Sequence, residues 1–117
     1  MKIVAFPING GDLAAKVAEH FGRASHFLVY NLEQRSFEVC PNPEAIGERE
    51  LPPEFLHNLG VGAVVCFGLG LPAFKLFGRL GVEMFRALVG GTVGESLEAL
   101  ESGALDRLTE EDIIVIE

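Results

Sequence analysis

The chain has 117 residues, 49% of them hydrophobic, and seventeen acidic against nine basic side chains give a formal charge of −8. Such a length fits one compact domain over residues 1–117, and the cations, spread with no basic run, exclude nucleic acid as the expected partner. No apolar run approaches the ~20 residues of a membrane span, and the first apolar stretch is too short for a signal-peptide core, so a cytoplasmic protein without membrane contact is expected.

Residues 2–6 are a β-branched and aromatic run stopped by Pro7 and the cluster Asn9-Gly10-Gly11, which predicts a strand entering a loop. Residues 12–19, with Leu13 and Val17 spaced for one face and Asp12 as cap, predict a short helix. Residues 27–32 and 36–40, separated by the polar Glu33-Gln34-Arg35, predict a β-hairpin. Pro41-Asn42-Pro43 closes its second strand, and residues 44–50 read as an irregular, mobile rim.

Pro52 and Pro53 suit the first turn of a helix whose apolar face is Phe55, Leu56 and Leu59, with Gly60 as its stop. Residues 61–67 form a nearly continuous apolar run, the pattern of a strand covered on both faces, and are expected to be the central strand. Residues 68–72 break that strand. A helix over residues 73–80 follows, ended by Gly81, and residues 82–88 predict another strand. Thr92 and Glu95 form a capping box that starts a last helix, with Leu97 and Leu100 on its buried face and Gly103 at its end. Residues 113–116 are expected to close the chain as a short apolar strand or docking tail.

This order predicts an α/β fold with a mixed sheet: an N-terminal strand and hairpin followed by alternating helices and strands, the later strands parallel. Ligands bind such sheets beyond the carboxyl ends of the parallel strands. Here those ends carry residues 7–11, 68–72 and 90–92, three glycine-bearing loops expected at one edge.

The segment Glu19-His20-Phe21-Gly22-Arg23-Ala24 concentrates the residue types able to carry chemistry. An imidazole ligates metals, and a guanidinium holds anions through a planar fork of donors. His20 reads either as a ligand to a metal or cluster, with Arg23 offsetting anionic charge, or as a surface histidine closing a turn. Gly68-Leu69-Gly70 reads either as a loop able to bind a small anion or the edge of a bulky anionic cofactor, or as a tight turn. It lacks the third glycine and the acidic partner of a dinucleotide site. His26 and His57 are expected to face solvent, and Cys40 and Cys66 to be buried as small hydrophobes in a reducing compartment. Cys66 is the one thiol near the Gly68 loop. No paired carboxylates, Ser-His-Asp order or nucleophile elbow can be recognised.

The His20-Phe21-Gly22-Arg23 block, Pro41-Asn42-Pro43, the run from Gly60 to Val65 with its Gly68 loop, Gly81-Val82-Glu83-Met84-Phe85 and Gly91-Thr92-Val93 together resemble the dinitrogenase iron-molybdenum cofactor biosynthesis family. The resemblance covers residues 1–108 and leaves 109–117 as a C-terminal extension. It implies a ribonuclease-H-like three-layer fold without that nuclease's acidic metal cluster. It also implies His20 as metal ligand, with Gly22 and Arg23 shaping the cofactor-binding loop; Gly68 and Gly70, from the reading of their own loop, are expected to join that site.

The leading functional expectation is therefore a non-catalytic carrier or scaffold for an iron-molybdenum cofactor or an iron-sulfur cluster, exchanging cargo with metal-cluster donor or acceptor proteins. The alternative is a regulatory or interaction module that takes a small anion or a partner without metal. An enzyme using His20 or Cys66 is a third reading. Oligomeric state is not fixed by the sequence.

Overall fold

The computed structural model describes residues 2–114. Its elements in chain order are β1 (Ile3–Ile8), a single 3-10 turn (Phe21–Arg23), β2 (His26–Asn31), β3 (Ser36–Pro41), α1 (Pro52–Asn58), β4 (Ala63–Cys66), β5 (Leu69–Gly70), α2 (Leu71–Leu80), β6 (Glu83–Arg86), α3 (Val93–Glu101), a second 3-10 turn (Glu110–Asp112) and β7 (Ile113–Ile114). Five strands form one sheet in the order β3-β2-β1-β4-β6, and β5 pairs with β7 in a second, two-stranded sheet. In the larger sheet only β2 runs against the others, being antiparallel to both β1 and β3, while β1, β4 and β6 are parallel.

Alternation along β1 sorts the core into two layers, because successive side chains point to opposite faces. Val4, Phe6 and Ile8 pack with Leu28, Tyr30, Val65, Val93 and Leu97 on the α3 side. Ala5 packs with Phe27, Leu56, Val64, Cys66 and Phe77 on the side of α1 and α2. Helices thus cover both faces of a mixed sheet. No helix among the described residues is long and apolar enough to cross a membrane.

Local chemistry accounts for most element ends. Pro52–Pro53 and Pro72 occupy first-turn positions whose missing N–H groups need no partner, and Gly81, at φ 73°, ends α2 in the left-handed region. At α3 the Glu95 N–H donates to Thr92 Oγ1 at 3.2 Å and the Thr92 N–H donates to Glu95 Oε1 at 2.9 Å, the reciprocal cap expected from the sequence.

Several expectations are corrected. Residues 12–19 are not a helix. Asp12 caps one turn, its Oδ1 accepting from the Ala14 N–H at 2.8 Å, but the following amides are committed elsewhere. The Ala18 N–H donates to the Pro7 carbonyl at 2.8 Å and the Val17 N–H to the Gly91 carbonyl at 3.4 Å, so long-range bonds replace the helical ladder. The middle strand is β1, not the apolar run at 63–66, which is fully buried but lies between β1 and β6. Leu69–Gly70 does not merely break the chain; it is a strand because Ile113–Ile114 returns beside it. The strand expected over 82–88 contracts to Glu83–Arg86. Cys40 is half-buried on the edge strand rather than in the core. Of the expected terminal strand, Val115 and Ile116 lie outside the described residues.

Candidate functional site

Three connections meet at the carboxyl ends of β1, β4 and β6. After β1 the chain turns through Gly10 and Gly11, whose φ angles of 102° and 104° favour glycine. It then runs as the extended segment that presents Lys16, Glu19 and His20. The Lys16 backbone bridges to Thr92 and so ties this segment to the start of α3.

The turn Phe21–Arg23 is fixed from below. Phe21 is buried, its ring 5.0 Å from that of Phe27 and 5.5 Å from that of Phe77. The Arg23 N–H donates to the His20 carbonyl at 3.3 Å and the Ala24 N–H to the Phe21 carbonyl at 3.4 Å. Asn42, wholly buried, donates from Nδ2 to the Ala24 carbonyl at 2.9 Å and accepts at Oδ1 from the Glu44 N–H at 3.0 Å. The residues expected to form an irregular rim are thereby drawn into a turn against the histidine segment.

Two cavities flank this turn. The larger, of about 780 Å³, is bordered by Asn9, Gly10, Lys16, Glu19, Phe67 and Gly90. The smaller, of about 350 Å³, is mainly apolar, with Phe21, Leu51, Pro52, Leu76 and Ile114 in its wall beside Glu44. His20 and Arg23 border both. Gly22, Gly68 and Gly70 border the smaller one, so the five residues singled out in the sequence come together there.

The two chambers differ in charge. Lys16 and Arg23 face the larger one against a single carboxylate, Glu19, whereas the smaller sets Arg23 against Glu44. Among the described residues neither Lys16 nor Arg23 forms an ion pair, whereas Lys2, Arg35, Arg86 and Arg107 do. Two uncommitted cations beside an exposed imidazole make the larger chamber the better anion seat. Its size falls within the ~300–1,000 Å³ usual for small-molecule sites.

Lys16 was missed in the sequence because a helix over 12–19 gave it no special direction. Gly68 needs a structural account of its own. A Cβ there would stand 2.8 Å from the Asp112 carbonyl and 3.1 Å from the Ile114 side chain, so the returning C-terminal strand requires a glycine. Cys66 does not reach either cavity wall; it is fully buried in the α2-side core, and burial pushes its thiol up to about 12. His26 is half-buried, with Nδ1 2.7 Å from Ser25 Oγ, and His57 is exposed.

No three His, Cys, Asp or Glu side chains among the described residues could hold a metal ion together. A bare ion such as zinc wants about four donors, whereas a preassembled anionic cluster brings its own sulfides and needs one further ligand plus charge neutralisation. The donor set at His20 fits the second kind of cargo.

Fold and cavities define a three-layer α/β domain with a cleft at the ends of its parallel strands. The chain belongs to the dinitrogenase iron-molybdenum cofactor family, whose model matches residues 1–103. A NifB-like Thermotoga protein, assigned to the DUF35 family and solved by NMR, is 33% identical, with 95% of this chain and 99% of that one covered and a TM-score of 0.79. The orange protein of Desulfovibrio gigas, solved in its apo form, is 22% identical over 93% of this chain and 94% of that one, with a TM-score of 0.83, a likeness of fold. An uncharacterized protein of Methanocaldococcus jannaschii is 24% identical over 110 residues, 89% of each chain.

Proposed function

We propose that this protein is a non-catalytic carrier or scaffold for a preassembled anionic metal-sulfur cluster, of the iron-molybdenum or iron-sulfur type. His20 supplies one imidazole ligand to an open metal position, and Arg23 and Lys16 offset the cluster's negative charge. The observation that carries this reading is the placement of His20 and Arg23, both exposed, on the one turn that borders both cavities. A single protein ligand suits a carrier, because cargo held by one bond can be handed on. Metal-cluster donor and acceptor proteins are the partners this role requires, and a reducing cytoplasm is the compartment that suits such cargo and two free thiols. The strand order, with β2 alone reversed, supports a ribonuclease-H-like assignment of the fold.

Anaerobic titration of the protein with isolated iron-molybdenum cofactor and with a simple iron-sulfur cluster, followed by absorbance for wild type and His20→Ala, tests the reading. Saturable binding that is lost in the variant is the expected result. Equal binding by both proteins would remove the imidazole from the site. Binding of neither cluster would favour a module that takes a small anion or a partner without metal.

A further inference from the structure

Residues 104–114 lie beyond the family match and return to the sheet along its β6 edge. The Arg86 N–H donates to the Asp106 carbonyl at 2.7 Å and the Leu108 N–H to the Met84 carbonyl at 2.9 Å. The chain then turns through Glu110–Asp112 and lays β7 beside β5.

Four features converge on that last turn. Arg86 donates from Nε and Nη2 to the two Asp112 carboxylate oxygens at 3.1 and 2.8 Å, a bidentate pair. The Thr109 N–H donates back to Asp112 Oδ2 at 2.8 Å and closes a reciprocal cap. Gly68 leaves room for the Asp112 carbonyl and Ile114, which then forms part of the smaller cavity's wall. Cys66, two residues before that glycine, pairs in register with Arg86, so its buried side chain lies on the same face of the sheet as the Arg86 side chain.

We propose that residues 109–114 form a strap that closes one side of the smaller cavity and covers Cys66, with the Arg86–Asp112 pair as its latch. The β5–β7 pair is two residues long and shares no ladder with the five-stranded sheet. Isolated two-stranded pairs are marginal at best, so the strap depends on its latch and on Ile113 and Ile114 for its hold. Such elements open locally, at a smaller free energy than the whole fold. Release withdraws Ile114 from the cavity wall and widens the chamber toward His20 and Arg23 while the main sheet stays intact. This holds whatever the cargo is.

Cys66 serves as the native reporter. In a Cys40→Ser background, its labelling by a maleimide under native conditions is compared for otherwise wild-type, Arg86→Met and Asp112→Asn proteins, with amide hydrogen exchange measured in parallel. The strap predicts labelling faster by about tenfold or more in both variants, since each loses a charge-assisted bond. It also predicts quicker exchange in β5 and β7 and unchanged protection in β1 and β2. Unchanged labelling in both variants overturns the proposal, as does loss of β1 and β2 protection in step with labelling. In the wild-type latch, labelling against low urea must show a shallower slope than global unfolding, and an equal slope also overturns it.

Discussion

The buried side-chain amide of Asn42 donates to the Ala24 carbonyl at 2.9 Å, and this bond joins the loop after β3 to the end of the turn that carries His20 and Arg23. The amide oxygen is also used, by the Glu44 N–H, so the side chain is engaged at both ends. Removing it leaves a backbone carbonyl without its partner in a place water does not reach. Asn42→Ala is therefore expected to cost about 1–3 kcal/mol in a urea unfolding titration. It is also expected to raise amide exchange at residues 21–25 more than in β4. Stability within experimental error of wild type would mean that this bond does not hold the turn.

Phe21 couples the candidate site to the core through the rings of Phe27 and Phe77. Truncation removes a buried ring and the two aromatic contacts together, so Phe21→Ala is expected to destabilise the fold by about 3–5 kcal/mol. Phe21→Leu keeps much of the volume and is expected to cost less. Cluster titration of the Leu variant then reports on the turn alone, since the fold survives.

What could be read from the sequence was what local chemistry decides. The β2–β3 hairpin follows from apolar alternation around a polar turn, in which Arg35 accepts a φ of 53°. The Thr92–Glu95 cap is likewise written in two residues three apart. Elements that rest on distant partners were not legible. Leu13 and Val17 have helical spacing, yet Pro7 and Gly91 take the amides a helix would use. Leu69–Gly70 becomes a strand only through residues more than forty positions away. The same blindness hid Lys16, whose place beside His20 is set by the bridge to Thr92. The topology puts the Gly68 loop at the edge where the strands end, and the family resemblance groups His20, Gly22 and Arg23; that these border one cavity, and that Gly68 fits closely to Asp112, needed the structure.

Acid should release the C-terminal strap before it unfolds the sheet. Hydrogen bonds from Arg86, ahead of those from Thr109, hold the Asp112 carboxyl below its ordinary range; Asp106 and Glu111 are the other charges close to the pair, and the neutral Cys66 thiol lies beneath. A lowered native value means that the stabilisation is complete above the unfolded value of about 3.9 and is lost as pH falls through the native one. Wild type is thus expected to exceed Asp112→Asn in urea midpoint at pH 7, with the gap closing below about pH 4. A gap that persists undiminished at pH 2 would show that the variant acts through packing and not through the charge.

Lys16 and Arg23 should act on an anionic cluster chiefly through charge, because both are exposed and neither is paired among the described residues. At about 6 Å in a water-like medium, one cation and a dianion attract by roughly 1.4 kcal/mol before screening, close to tenfold in affinity. Screening reduces this at 0.15 M salt, where the Debye length is about 8 Å. Lys16→Gln and Arg23→Gln are each expected to weaken binding of a dianionic iron-sulfur cluster by about three- to tenfold at low salt and by less at high salt. Lys75→Gln, on the exposed side of α2, is expected to leave binding unchanged and serves as the charge control. If Lys16→Gln behaves like Lys75→Gln while Arg23→Gln does not, the cargo sits in the smaller chamber, which Arg23 borders and Lys16 does not. Loss in both variants places it in the larger one, against the wall formed by His20.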